Sequence, residues 1–294
     1  MTVTADRLEI LGTTSRGRTA GRFFRDKVAM AGAAFITLLV IVAVFAPLLA
    51  PYSPDANFSV INGGPSGAHW LGTDDVGRDL LSRLIYGARI SLEASVLIVL
   101  LALLVSVPIG LISGYFGGRT DNVIMRVIDA MFAFPPLLLA ISVAALLGKS
   151  LHNLILAIAV TFVPGFTRVI RGQVLSIREE TFIEASRSIG ARPSRMLIRH
   201  VLPNVASPLI VQAALALGYA LLAEAGLSFL GLGVQPPAAS WGVMLQEAYQ
   251  FMLSDPWAMI VPGVAIALTV LSFNVIGDGL RDALGRERAA AVRA

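Results

Sequence analysis

The sequence predicts an all-α integral membrane protein with six transmembrane helices, and three observations carry that prediction. Hydrophobic residues make up 56% of the 294-residue chain and charged residues 14%, against about 25% charged in an ordinary soluble domain. Runs free of Asp, Glu, Lys and Arg occupy 28–50, 94–118, 130–148, 150–167, 200–223 and 256–277. Each approaches the roughly 20 apolar residues that a spanning helix needs. These runs are continuous rather than alternating, which excludes the strands of a membrane barrel.

Residues 1–27 form a basic arm with Arg7, Arg16, Arg18, Arg22, Arg25 and Lys27. The first span, 28–50, has 23 residues. A signal-peptide core has roughly 7–15, so this span reads as a retained anchor. An extracytoplasmic segment follows over 51–90, opening with Pro51, Pro54 and the turn-rich stretch 62–67. Its second half sets Gly77, Leu80, Leu81, Leu84, Ile85 and Ala88 at helical spacing, with Arg78, Asp79, Ser82 and Arg83 between them. That spacing predicts an amphipathic helix on the outer surface or against the bundle, turning into the second span. Arg89 and Glu93 are placed to pair at i, i+4.

Residues 91–280 hold the remaining five spans around a cytoplasmic loop at 172–204, and 281–294 form a tail. The uncharged run 225–246 is not counted as a span. Its glycines and the Pro236-Pro237 pair would leave backbone groups unsatisfied in lipid, so it reads as a surface turn or a protein-buried segment. A second outer amphipathic helix is predicted over 241–253. Trp241, Met244, Leu245, Ala248, Tyr249 and Met252 form its stripe, with Trp and Tyr at interfacial depth.

Lysine and arginine set the orientation. Nineteen of the 23 lie in the arm, at Arg119 and Arg126, from Arg168 to Arg199, or from Arg281 onward; Arg78, Arg83, Arg89 and Lys149 lie opposite. The bias places both termini and the 172–204 loop in the cytoplasm. The net charge of +4 therefore follows from topology and does not point to nucleic acid. The absence of cysteine excludes disulfides and thiol catalysis, and suits a bacterial plasma membrane. His69, His152 and His200 lie in separate segments without metal-ligand spacing.

Gly148-Lys149-Ser150 looks like the end of a phosphate-binding loop. The motif needs a glycine where Val143 stands and a preceding strand, so no nucleotide site is assigned. Any energy from ATP must come from another chain. No Ser-His-Asp group or paired carboxylate is visible, and catalysis is not predicted. Asp129 is placed about 9 Å into the third span at ~1.5 Å per residue, with Arg126 as its candidate partner. Glu224 lies near the outer end of the fifth span. The two are either a proton or ion relay or locally paired and capped charges.

The most informative stretch lies between the fourth and fifth spans. Glu179, Glu180 and Glu184 complement the start of a short helix. Phe182, Ala185 and Ile189 give it an apolar strip, Gly190 suits a left-handed C-terminal cap, and Pro193 opens a second helix. A linker of no fixed shape would not need this punctuation. The alternative is an amphipathic loop resting on lipid headgroups.

Glu184-Ala185-Ser186, followed by Gly190, Ile198 and Leu202-Pro203, resembles the EAA signature of ATP-binding-cassette importer permeases. Ser186 departs from the usual second alanine. Residues 71–92 and 223–245 are similar to the C-type subunit of the dipeptide and oligopeptide permease group, which also includes nickel and glutathione importers. The resemblance implies a type I importer permease (MetI-like) fold, with those seven residues coupling to an ATPase. It implies no cofactor in this chain, ATP and Mg being bound by partner ATPase subunits. The implied partners are a related second permease in a heterodimer, two ATPases, an extracytoplasmic substrate-binding protein and a peptide. Two other classes stay open at this point: a secondary transporter relaying through Asp129 and Glu224, and a membrane scaffold.

Overall fold

The computed structural model describes residue 21 and residues 23–292, with side chains in the last helix described through 284. Arg7, Arg16, Arg18, Arg22 and Arg293 of the predicted basic ends lie outside the described residues. Helix α1 (Lys27–Val44) starts where the Asp26 carboxylate accepts from the Val28 and Ala29 amides. It stops at Phe45, and Pro47 opens the short turn α2 (Ala46–Leu49). Helix α1 is apolar all round and exposes Leu38, Ile41 and Val44, as a lipid-facing helix does.

Helix α3 (Leu80–Phe116) begins at Asp79, whose side chain accepts from the Ser82 amide. The predicted surface helix and the second span are therefore one continuous rod of 37 residues, with no turn between them. Arg89 and Glu93 are both exposed and form no ion pair.

The third crossing also differs from expectation. Helices α4 (Gly118–Phe132) and α5 (Pro136–Leu147) meet at 90°. Pro136 lacks the N–H that would continue α4, and Pro135 disfavours helix before it. Among the described residues, five other helices are long and apolar enough to cross a membrane, and the bent pair makes a sixth when counted as one span.

Helix α6 (Leu151–Arg178) is capped by Ser150. After α7 (Thr181–Ser188), the chain enters α8 (Pro193–Met196), a π-turn (Leu197–Val201) and α9 (Leu202–Phe229) without a break. The Leu202 amide donates to the Leu197 carbonyl, one residue further back than in an α-helix. Pro203 follows at once with no amide to donate, so the widened turn absorbs the missing bond. Helices α10 (Trp241–Tyr249) and α11 (Trp257–Val292) complete the fold. Residues 225–246 thus divide among the end of α9, a loop and the start of α10.

The core is built on close approach of α3 and α6. Ala102, Ser106, Gly110 and Gly114 recur every fourth residue along α3. A Cβ added at Gly110 would stand 2.7 Å from Ile170 Cβ, and one at Gly114 2.7 Å from Val174 Cβ. Small residues let the two backbones meet, which supplies dispersion where lipid offers no hydrophobic drive.

Candidate functional site

The predicted hinge forms a defined elbow. Glu179 ends α6 and Glu180 precedes α7 as its N-cap, so only Glu184 of the three acids lies inside the short helix. At the far end Gly190 has φ +77°. Its amide donates to the Arg187 carbonyl at 3.0 Å, and the Ala191 amide reaches back to Ser186 at 3.1 Å. This pair of bonds is the Schellman C-cap, which satisfies carbonyls the helix leaves orphaned.

Ile183 and Met196 are fully buried and pin the elbow to the bundle. The expected strip of Phe182, Ala185 and Ile189 faces outward, with Ile189 85% exposed and Ile198 67% exposed. Glu184, Gly190 and Pro203 are exposed as well, and Leu202 is partly so. The Ser186 hydroxyl donates to the Phe182 carbonyl at 2.8 Å, so the serine is satisfied within its own helix. Arg187 lies over the Tyr115 ring at 5.9 Å, linking the elbow to the end of α3.

At the opposite end of α3, residues 51–79 form a lobe with Asp74, Asp75 and Arg78. Sequence spacing assigns Arg78, Asp79, Ser82 and Arg83 to a polar face, yet the structure buries all four. Pairing makes this possible. Arg83 donates to Glu247 of α10 at 2.6 Å and lies 3.5 Å from Asp74. Arg78 bonds Asp74 at 2.6 Å and Glu247 at 3.0 Å. Burial opposes the Arg78 charge, but Glu247 and Asp74 outweigh it and hold the guanidinium pKa above its ordinary value. Asp75 is pushed up, first by burial and then by its neighbour Asp74. Trp241 is fully buried rather than interfacial, its indole N–H donating to the Leu84 carbonyl at 3.0 Å.

The two singled-out carboxylates have different surroundings. Asp129 pairs with Arg168 at 2.6 Å and not with Arg126, on the outward side of α4, and the Arg168 guanidinium stacks 3.9 Å from the Phe132 ring centre. Glu224 is fully buried; its Oε1 accepts from Ser228 at 2.8 Å, and its Oε2 has no hydrogen-bond partner. They share no partner, so the structure does not join them into a relay. Sequence reasoning missed a third carboxylate, Asp121. Arg171 donates to both of its oxygens at 2.6 Å, and Ser113 donates a further bond. Gly148-Lys149-Ser150 links two helices, Ser150 capping the second.

Residues 106–289 match the family model described as binding-protein-dependent transport system inner membrane component. The chain belongs to this family. Residues 15–65 match the N-terminal TM domain of oligopeptide transport permease C. The chain is 48% identical over 261 residues to the dipeptide transport system permease protein DppC of Alkalihalophilus pseudofirmus, covering 88% of this chain and 86% of the relative. It is 45% identical over 265 residues to the glutathione transport system permease protein GsiD of Pectobacterium atrosepticum, covering 90% and 88%. An inward-facing structure of the MetNI methionine ABC transporter shares the fold at TM-score 0.56 and 20% identity, covering 69% of this chain and 97% of that one.

The chain is thus a multi-pass permease component of a binding-protein-dependent importer, a transport subunit rather than a catalyst. The matched family region covers the α3–α6 seam from Ser106 onward, the elbow and the buried Glu224.

Proposed function

We propose that this chain is one permease half of an ATP-driven peptide importer in a bacterial plasma membrane, with the elbow in the cytoplasm as its ATPase-docking lever. One observation carries the docking assignment. The elbow is rigidly capped and anchored through Ile183 and Met196, while Phe182, Ile189 and Ile198 stay exposed. Apolar side chains on an ordered polar helix fit a groove on another protein. Ala185 and Ser186 let that groove approach the helix closely, and Glu184 offers a polar contact at its rim. Leu202 and Pro203 begin the rod that carries motion into α9.

The cargo is a short peptide, favoured by the dipeptide and oligopeptide relatives, with glutathione as the nearest alternative chemistry. The complex holds a second, related permease, two ATPases and an extracytoplasmic binding protein. Hydrolysis of Mg-bound ATP on the ATPases supplies the free energy. This chain's part is mechanical: displacement of α7 moves α6 and the α8–α9 rod, and the bundle rocks against its partner half. The lysine and arginine bias supports a cytoplasmic elbow and cytoplasmic termini, with the lobe outside.

The test is peptide uptake by the reconstituted complex. Gly190→Val and Glu184→Lys should abolish uptake and release the ATPases on co-purification. A single cysteine placed between 184 and 190 should crosslink to a cysteine on an ATPase. Native uptake and ATPase binding in both variants would overturn the assignment.

A further inference from the structure

Helix α4 has few apolar anchors: only Asp121 and Ile128 are buried along its 15 residues. It is flanked by two backbone joints. Gly117 precedes it and Gly118 opens it, at φ +63° and +55°, and the 90° bend follows it. A helix so placed can pivot unless something fixes it. The fixing group is Asp121, 8% exposed, which takes both prongs of Arg171 from α6 and the hydroxyl of Ser113 from α3. Bidentate charge-assisted bonds of this kind are the strong and directional ones. Further along, Asp129 and Arg168 form a second link, but both side chains are about half exposed, and such pairs contribute little.

Arg171 stands on the helix that leads into the elbow. Only Glu179 and Glu180 separate α6 from α7, and Arg178 pairs with Glu179 at 3.1 Å. We propose that Asp121 is a positioning residue that bolts α4 to α6, so that elbow displacement is carried to the bent α4–α5 arm. This rests on the docking role proposed for the elbow and adds the route by which motion leaves it. The arm matters because α5 forms one wall of an apolar groove of about 510 Å³, with Ile158 and Phe162 of α6 and Tyr219 and Leu222 of α9 opposite. With the bolt in place, the α5 wall travels with α6 and the groove shifts against Tyr219 and Leu222 of α9. Without it, α6 moves and the arm lags.

The test uses the full transporter in proteoliposomes with its binding protein, and reads peptide taken up per ATP hydrolysed. Asp121→Ala should keep the ATPases bound and hydrolysing while lowering that ratio on the order of tenfold. Asp129→Ala should lower it by less than about twofold. Exchanging the charges, Asp121→Arg with Arg171→Asp, should restore it. A merely structural role would reduce assembled complex and leave the ratio unchanged, and that result overturns the proposal.

If Asp121→Ala does not assemble, the cysteine-free background gives a second route. Asp121→Cys with Arg171→Cys, among cysteine-free partners, should recover the ratio when a short bifunctional thiosulfonate joins the thiols and lose it on reduction. A ratio indifferent to the bridge also overturns it. Gly190→Val, run alongside, separates the two ideas. If it leaves uptake intact, the docking role fails and takes the bolt with it. If it abolishes uptake while Asp121→Ala keeps the native ratio, the bolt alone fails.

Discussion

The lobe and the elbow sit at opposite ends of α3, and arginines and acids lie close together in both. At the lobe the charges close on one another inside the chain: Arg78 and Arg83 meet Asp74 and Glu247, and Arg83 is fully buried. At the elbow the apolar side chains Phe182, Ile189 and Ile198 stand in the open, and Arg192 and Arg195 are exposed beside them. Charge and periodicity look alike in the two segments. One is complete within this polypeptide and the other is not, which marks the lobe as structure and the elbow as a surface awaiting a partner.

Breaking the lobe should therefore cost stability, and breaking the elbow should cost transport. The largest loss is expected for Arg83→Ala, which opens a buried void and leaves Arg78 alone to balance Glu247 and Asp74. Removing one partner of a buried pair typically costs about 3–5 kcal/mol, readable as a lowered denaturation temperature of the purified complex. Arg83→Leu with Glu247→Leu should recover much of it. Arg195→Ala at the elbow should be near neutral in the same assay. Equal losses at the two sites would dissolve the contrast.

Two glycines sharpen the comparison at smaller scale. Gly77 in the lobe has φ +83°, and a Cβ there would stand 2.2 Å from the Phe58 carbonyl oxygen. Gly190 has φ +77° with nothing within 4 Å of an added Cβ. Gly190→Ala should carry only the left-handed conformational penalty, roughly 1–2 kcal/mol, whereas Gly77→Ala adds a backbone clash and should destabilise more. Gly190→Asn, which tolerates that conformation, should retain more uptake than Gly190→Val. A milder effect at Gly77 than at Gly190 would show that the lobe yields where its packing says it cannot.

The features legible in the sequence are the local ones. Charge-free runs located the crossings because burial in lipid is decided over about 20 consecutive residues. Gly190 and Pro193 marked the elbow because caps act within one helical turn. What stayed hidden depends on partners far along the chain. Arg171 lies 50 positions from Asp121, and Glu247 lies 164 from Arg83. The polar stripe of Arg78, Asp79, Ser82 and Arg83 has the same spacing whether it faces water or a carboxylate, so its inward turn was not readable. Pro135-Pro136 did signal the bent third crossing, but the apolar run around it masked the break.

The smallest effect concerns pH, and it tests whether the lobe's closure is complete. In the cluster around Arg78, Asp75 is the acid left over: Arg78 Nη2 stands 3.9 Å from its Oδ1, which accepts no hydrogen bond. Burial first and Asp74 second raise its pKa above 3.8. A raised carboxyl pKa means the folded lobe prefers the proton. Its stabilising contribution is fully present below 3.8 and is lost as pH rises through the folded value. At neutral pH the charged Asp75 therefore works against the fold. Asp75→Asn should raise the denaturation temperature at pH 7 by an amount equivalent to less than about 1 kcal/mol, and the gain should shrink toward pH 4. Arg78 keeps its charge throughout this range, because Glu247 and Asp74 outweigh burial and hold its pKa above the ordinary guanidinium value. A variant less stable than the native chain at pH 7 would mean that Asp75 is paired in solution, and that the arginines of the lobe close on Asp75 as well as on Asp74 and Glu247.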